Sequence, residues 1–122
     1  MMIKLTFALT RRAELTRAAF QSYWREQHAP LVASVREILR IRRYVQAHSL
    51  PAESEAALRA ARGGPEGFDG AAELWWDSLE DVMAASADPA GIEAGRRLLE
   101  DERKFIDLTR SPLWWSEEKV IF

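Results

Sequence analysis

The sequence predicts an α+β fold: a split βαβ sheet of four antiparallel strands with helices on one face. Three observations lead there. Four segments carry strand patterning, at 2–10, 41–50, 71–77 and 113–122. Helical patterning fills the gaps between the first and second and between the third and fourth. A chain of 122 residues is the length of one domain, so we assign 1–122 to a single unit.

The first strand alternates Ile3, Leu5, Phe7 and Leu9 with Lys4, Thr6 and Ala8, the period of a strand with two unlike faces. Thr16 is placed to cap a helix from Arg17. Phe20, Trp24, His28 and Leu31 share one face of that helix, and Pro30 should kink or stop it near His28 by driving Ala29 out of helical angles. A second helical piece, 31–39, comes next. In the second strand Tyr44, Gln46 and His48 fall on one face, and Val45 and Ala47 on the other. Residues 51–69 read as a mobile loop holding a short Ala- and Glu-rich helix, 53–62, broken by Gly63-Gly64-Pro65.

After the third strand, Ser78 with Asp81 approximates a capping box for a short helix, 79–86. Asp88-Pro89 starts the next helix, in which Ile92, Leu99 and Ile106 recur every seven residues beside Leu98 and Phe105. Gly91 and Gly95 are read as close backbone packing, and Ser111-Pro112 ends the helical region. Helices cover only one face of such a sheet. Trp75-Trp76 and Trp114-Trp115 put an indole on both faces of their strands, and five Trp with five Phe is a heavy load for one small core. We therefore expect a second copy of the chain to cover the open face, giving a homodimer.

Composition excludes several classes. No Cys is present, which removes disulfides, thiolate nucleophiles and Cys-ligated clusters and fits a reducing compartment. Seventeen Lys and Arg against nineteen Asp and Glu leave a formal charge of −2, unlike a phosphate-driven nucleic-acid binder. No apolar run approaches a membrane span, and the N-terminus does not read as a signal peptide, so the expectation is a soluble cytoplasmic protein. No phosphate-cradling Gly loop or Gly-x-Ser-x-Gly elbow is present.

His28 is the leading candidate for chemistry. Helix-end carbonyls favour its charged form and burial opposes it; either way it can serve as acid or base near neutrality. The plain alternative is a structural His capping the helix break. Tyr44 supplies a phenol that can hold a carbonyl or a developing oxyanion, and Gln46 or His48 can orient an oxygen. Glu73 interrupts an apolar strand, so it is either a buried carboxylate that orients a His or acts as a base, or half of an ion pair. His28, His48 and Glu73 match the composition of a two-His, one-carboxylate iron site, but their spacing is arbitrary; we expect no metal and no built-in cofactor. Arg40, Arg42 and Arg43 read as a solvated or paired surface, facing Glu117 and Glu118 if the strands allow. Glu100-Asp101-Glu102 reads as a solvated helix face.

Taken together, Trp24-Arg25-Glu26-Gln27-His28-Ala29-Pro30, then Arg43-Tyr44-Val45-Gln46, then Asp69-Gly70-Ala71-Ala72-Glu73-Leu74-Trp75-Trp76, resemble the EthD family, and Phe105-Ile106-Asp107 through Trp114 continues the match. Phe68 stands where the family often has Tyr. The resemblance implies a dimeric α+β barrel, two ferredoxin-like sheets packed face to face. Relatives on this fold include cofactor-independent monooxygenases, cyclases, dehydratases and isomerases that bind apolar or aromatic small molecules between sheet and helices. By the same resemblance His28 matches a pocket His, and Trp24, Tyr44 and Glu73 match recurrent motif positions. The expectation is an enzyme acting on a small apolar, oxygenated or aromatic metabolite. His28 would be the acid/base and Tyr44 or His48 would hold the oxygen, with Trp24, Gln46, Glu73, Trp75 or Trp76, and Phe105 around the substrate. The reaction would be dehydration, isomerisation or cofactor-free oxidation. The alternatives are a non-catalytic ligand binder or accessory protein to an oxygenase, and a metal or haem site.

Overall fold

The computed structural model describes residues 2–122; Met1, part of the predicted unit, lies outside them. Four strands, β1 (Ile3–Leu9), β2 (Arg43–His48), β3 (Gly70–Trp76) and β4 (Leu113–Ser116), form one antiparallel sheet in the order β2-β3-β1-β4. This is the ferredoxin-like order, with β3 threaded between the two strands of the first βαβ unit. The register pairs Leu5 with Leu74 and Phe7 with Ala72, and Tyr44 with Leu74 and Gln46 with Ala72. One face therefore carries Leu5, Phe7, Leu9, Tyr44, Gln46, His48, Ala72, Leu74 and Trp76 toward the helices.

The described residues form six helices: α1 (Arg17–Tyr23), α2 (Ala29–Ser34), α3 (Arg36–Leu39), α5 (Leu79–Ala87) and α6 (Pro89–Glu102) lie over that face, and α4 (Ala56–Arg62) sits exposed on the long loop. Thr16 Oγ1 accepts the Ala19 N–H, Ser78 Oγ accepts that of Asp81, and Asp88 Oδ1 that of Ala90, each satisfying a free amide at a helix start. Pro30 does not break the chain as expected. Ala29 stays helical (φ −57, ψ −43), and α1 runs into α2 through a π-helical turn, Trp24–His28. In a regular α-helix the Pro30 ring would strike the Glu26 carbonyl. Widening the turn by one residue, with the Ala29 N–H on the Trp24 carbonyl, accommodates the proline without ending the helix. The wider turn also rotates α2 about its axis, so Val32 rather than Leu31 continues the buried face after His28.

Two more expectations are corrected. β4 ends at Ser116, opposite Lys4; β1 itself starts at Ile3, so residues 117–122 have no strand left to pair with. On α6 the inward stripe is Gly91 and Ala94, both buried, with Leu98 half-buried, whereas Ile92 and Leu99 are exposed. A Cβ on Gly91 would sit 1.8 Å from the Ala85 carbonyl oxygen, so that approach of α6 to the end of α5 needs glycine. Gly95 touches nothing and plays no part in it.

The core is largely aromatic: Phe20, Trp24 and Phe105 are fully buried with Phe7, Leu9, Ala72 and Ile106. The open face is more polar than expected. Lys4 pairs with Glu73, and the Arg43 guanidinium lies 4.7 Å from the centre of the Trp75 ring. The Trp75 indole donates to Glu118 of the C-terminal segment. β2 and β4 are opposite edges, so the arginines do not meet Glu117 and Glu118 through strand pairing; Arg40 pairs with Asp81 and Arg42 lies 3.5 Å from Asp77. No described helix is long and apolar enough to cross a membrane.

Candidate active site

Between the sheet and the helices lies a cavity of about 150 Å³, walled by Leu5, Phe7, Trp24, Val32, Ile41 and Trp76 among others. Three polar side chains line it: His28 from the π turn, Tyr44 from β2 and Glu102 from the end of α6. No Lys or Arg does.

His28 is buried, and its Nδ1 lies 2.7 Å from Asp101 Oδ2. Burial pushes the Asp101 carboxyl up, but hydrogen bonds from Tyr23 and His28 outweigh it and leave the carboxylate below its ordinary range. An ionised carboxylate can only accept, so Nδ1 carries the proton and Nε2 is left as a lone pair. Burial is also the main influence on His28, lowering its pKa; the Asp101 hydrogen bond opposes it without reversing it. The imidazole is therefore neutral at pH 7, with its tautomer and orientation fixed by the aspartate. Tyr23 donates to the other carboxylate oxygen at 2.6 Å, and burial followed by this bond pushes the phenol up to about 12. Phe105 packs 5.0 Å from the His28 ring centre and supports it from the core, outside the cavity wall.

β2 supplies a second chain of hydrogen bonds along the face predicted for it. His48 Nε2 donates to Gln46 Oε1 at 2.8 Å, and Gln46 Nε2 donates to the Tyr44 hydroxyl at 2.8 Å and to the Trp24 carbonyl at 2.9 Å. The Gln46 amide faces Tyr44 as a donor, so the phenol accepts there and its own proton is available to the cavity. Burial is the largest influence on Tyr44 and pushes its pKa up, keeping it a neutral donor. His48 stacks 4.5 Å from Trp24 and does not line the cavity; it holds Gln46. Trp24 lies against the sheet because Gly70 gives it room: a Cβ there would sit 2.6 Å from the indole. Asp69, just before, ties down the chain by accepting the Arg11 amide and guanidinium at 2.8 and 2.7 Å.

The structure thus gathers His28, Tyr44 and Trp24 at one cavity, with Gln46, His48 and Phe105 behind them. It separates Glu73 and Trp75 from the site. Both point from the opposite face, where Glu73 meets Lys4, so Glu73 cannot orient His28 or His48; of the pair Trp75 and Trp76, it is Trp76 that joins Trp24 in the cavity wall. The sequence reading missed Asp101 and Glu102, which it placed on a solvated face. The available signal was the stripe of small Gly91 and Ala94 with Leu98, which continues to those two positions on the helix. Among the described residues no group of three metal-ligating side chains comes together.

The EthD domain model matches residues 12–109 of this chain. The chain belongs to the EthD family. An EthD family protein from Bacillus halodurans C-125 superposes with a TM-score of 0.63 at 24% identity, over 98% of this chain and 100% of that one. Two proteins named as enzymes share the fold: SnoaB from Streptomyces nogalater, a cofactor-independent oxygenase (TM-score 0.57, 12% identity, 98% and 96% coverage), and a hydroxynitrile lyase from Passiflora edulis (TM-score 0.57, 14% identity, 98% and 96% coverage). At these identities the likeness speaks for the fold alone. A search of curated protein sequences gives no match.

Proposed function

We propose that this EthD protein is a small-molecule enzyme that moves a proton on an apolar, oxygen-bearing substrate, with His28 as general base. The observation that carries this reading is the Asp101–His28 pair opening on an apolar cavity. A neutral imidazole with one nitrogen committed to a carboxylate is a base poised for neutral pH. Apolar cavities of about 150 Å³ take a benzene-sized molecule, which sets the substrate at roughly one ring. The substrate oxygen lies on Tyr44, whose phenol is held by Gln46. Proton removal from a carbon beside that oxygen leads to dehydration or isomerisation. Removal from a phenol is the first step of a cofactor-free oxidation, and a protein named as a cofactor-independent oxygenase shares the fold. Exposed Trp114, opposite Thr6 on the open sheet face, favours pairing of two copies through that face.

The test is ¹H NMR in D₂O with a panel of one-ring ketones, phenols and hydroxynitriles, following deuterium uptake or conversion for the wild type and His28→Ala. Loss of rate by ~10²–10⁴ in the variant, with ligand affinity retained, is the expected result. Equal rates in the two proteins would remove His28 as the base. Binding with no conversion of any compound would favour a ligand-binding or accessory role for the same cavity.

A further inference from the structure

Glu102 is the cavity group that the proton-transfer reading leaves unused. It ends α6 one turn after Leu98, and both side chains line the cavity. Among the described residues no hydrogen bond holds its carboxyl, and the compensating charge is Arg103, which acts on it only at a distance. The groups that face it are His28 on the π turn and Tyr44 on β2, both neutral, together with ionised Asp101 and Arg103 at its own helix end. A half-buried carboxyl in such surroundings holds its proton to higher pH than a free one, because ionising it would put a second negative charge beside Asp101 with no cation in the wall.

We propose that Glu102 sets the charge class of the substrate: as a neutral acid it donates its proton in a hydrogen bond to the oxygen of an uncharged carbonyl compound, and once ionised it excludes carboxylates and other anions from the cavity. This rests on the proposed function, in which the cavity is a small-molecule site. Burial, followed by the charge of Asp101, raises the Glu102 carboxyl to about 7, so the donor is present at pH 6 and lost by pH 8.5. Over the same range burial keeps Tyr44 protonated, and at pH 8.5 it leaves His28 neutral. Glu102→Gln, which cannot ionise, separates the titration of Glu102 from that of His28.

Acetophenone and benzoate test this as a pair of similar shape and different charge, with binding measured by calorimetry at pH 6 and pH 8.5. In the wild type, acetophenone should bind several-fold tighter at pH 6 than at pH 8.5, and benzoate at least tenfold weaker than acetophenone at pH 8.5. Glu102→Gln keeps a donor and cannot ionise; it should flatten the acetophenone profile and tighten benzoate at least tenfold at pH 8.5. Glu102→Met, which has no donor, should bind acetophenone weakly at both pH values. Benzoate bound as tightly as acetophenone by the wild type at pH 8.5, or a Glu102→Gln profile identical to the wild type, overturns the role of Glu102 and leaves the cavity as a ligand site. Failure of the wild type to bind either compound overturns both this role and the small-molecule reading.

Discussion

Replacing Glu102 by Gln should stabilise the protein at alkaline pH, against the usual expectation for a substitution in a cavity wall. The Glu102 carboxyl titrates at about 7 in the fold against an ordinary value of 4.5. The folded state therefore binds the proton more tightly than the unfolded chain. Stability from this group is complete below pH 4.5, falls as pH rises, and is lost once pH passes the folded value. Over the window from 4.5 to about 7 the loss is about 3 kcal/mol, of the order of a quarter to a half of a typical domain's stability. Gln has the same shape and no charge to desolvate, so the variant escapes this loss. Urea unfolding at pH 5, 7 and 9, at one fixed protein concentration, reads it directly. The variant should match or fall slightly below the wild type at pH 5 and exceed it by about 2–3 kcal/mol at pH 9, after allowance for the usual spread between contexts. Parallel stability curves for the two proteins across this range would refute the reasoning, since they would mean that Glu102 finds water or a partner when it ionises.

Two other predictions concern how the site is held. Gly70→Ala places a Cβ 2.6 Å from the Trp24 indole and 2.9 Å from the Ala47 carbonyl oxygen, so it should cost about 1–3 kcal/mol by urea unfolding; a change below about 0.5 kcal/mol would show that Trp24 can move aside freely. Asp101→Asn offers an amide N–H where a carboxylate only accepts, so His28 should shift from the Nδ1–H to the Nε2–H tautomer in its ¹⁵N NMR spectrum at pH 7.5; an unchanged tautomer would mean that Asp101 does not set it.

Much of the frame was legible in the sequence because strands and caps are local. The alternation Ile3 to Leu9, the Thr16, Ser78 and Asp88 caps, and the shared face of Tyr44, Gln46 and His48 depend on neighbours within a few residues. What escaped depends on partners far along the chain. The acidic run at 100–102 looks solvated until the packing of α6 is known. That packing is set by Gly91 against the end of α5 and by Ala94, small residues that carry little weight in a hydrophobic pattern. Ile92 and Leu99 carry more, and they pointed one residue the wrong way around the helix. Glu73 and Trp75 were misplaced for a related reason. Alternation in β3 is clear, but each of its faces carries a Trp, and the helix side is chosen by the small residues Gly70 and Ala72, which admit Trp24. At Pro30 the local rule itself was overridden, because a π turn absorbed the proline more cheaply than a break would.

The adjacent residues Asp101 and Glu102 explain how one helix end supplies both an ion and an acid. Successive side chains on a helix point about 100° apart, so one can face His28 and Tyr23 while the next faces the cavity. Asp101 has two donors and stays ionised; Glu102 has none, and the charge next to it pushes its proton affinity up further. Their separation into opposite protonation states is thus a property of the pair. It follows that Asp101→Asn disturbs more than the His28 tautomer. Removing the Asp101 charge also removes part of what keeps Glu102 protonated, so any loss of activity in that variant mixes a lost base with a changed acid. Only the double variant with Glu102→Gln, set against both single ones, separates the two contributions.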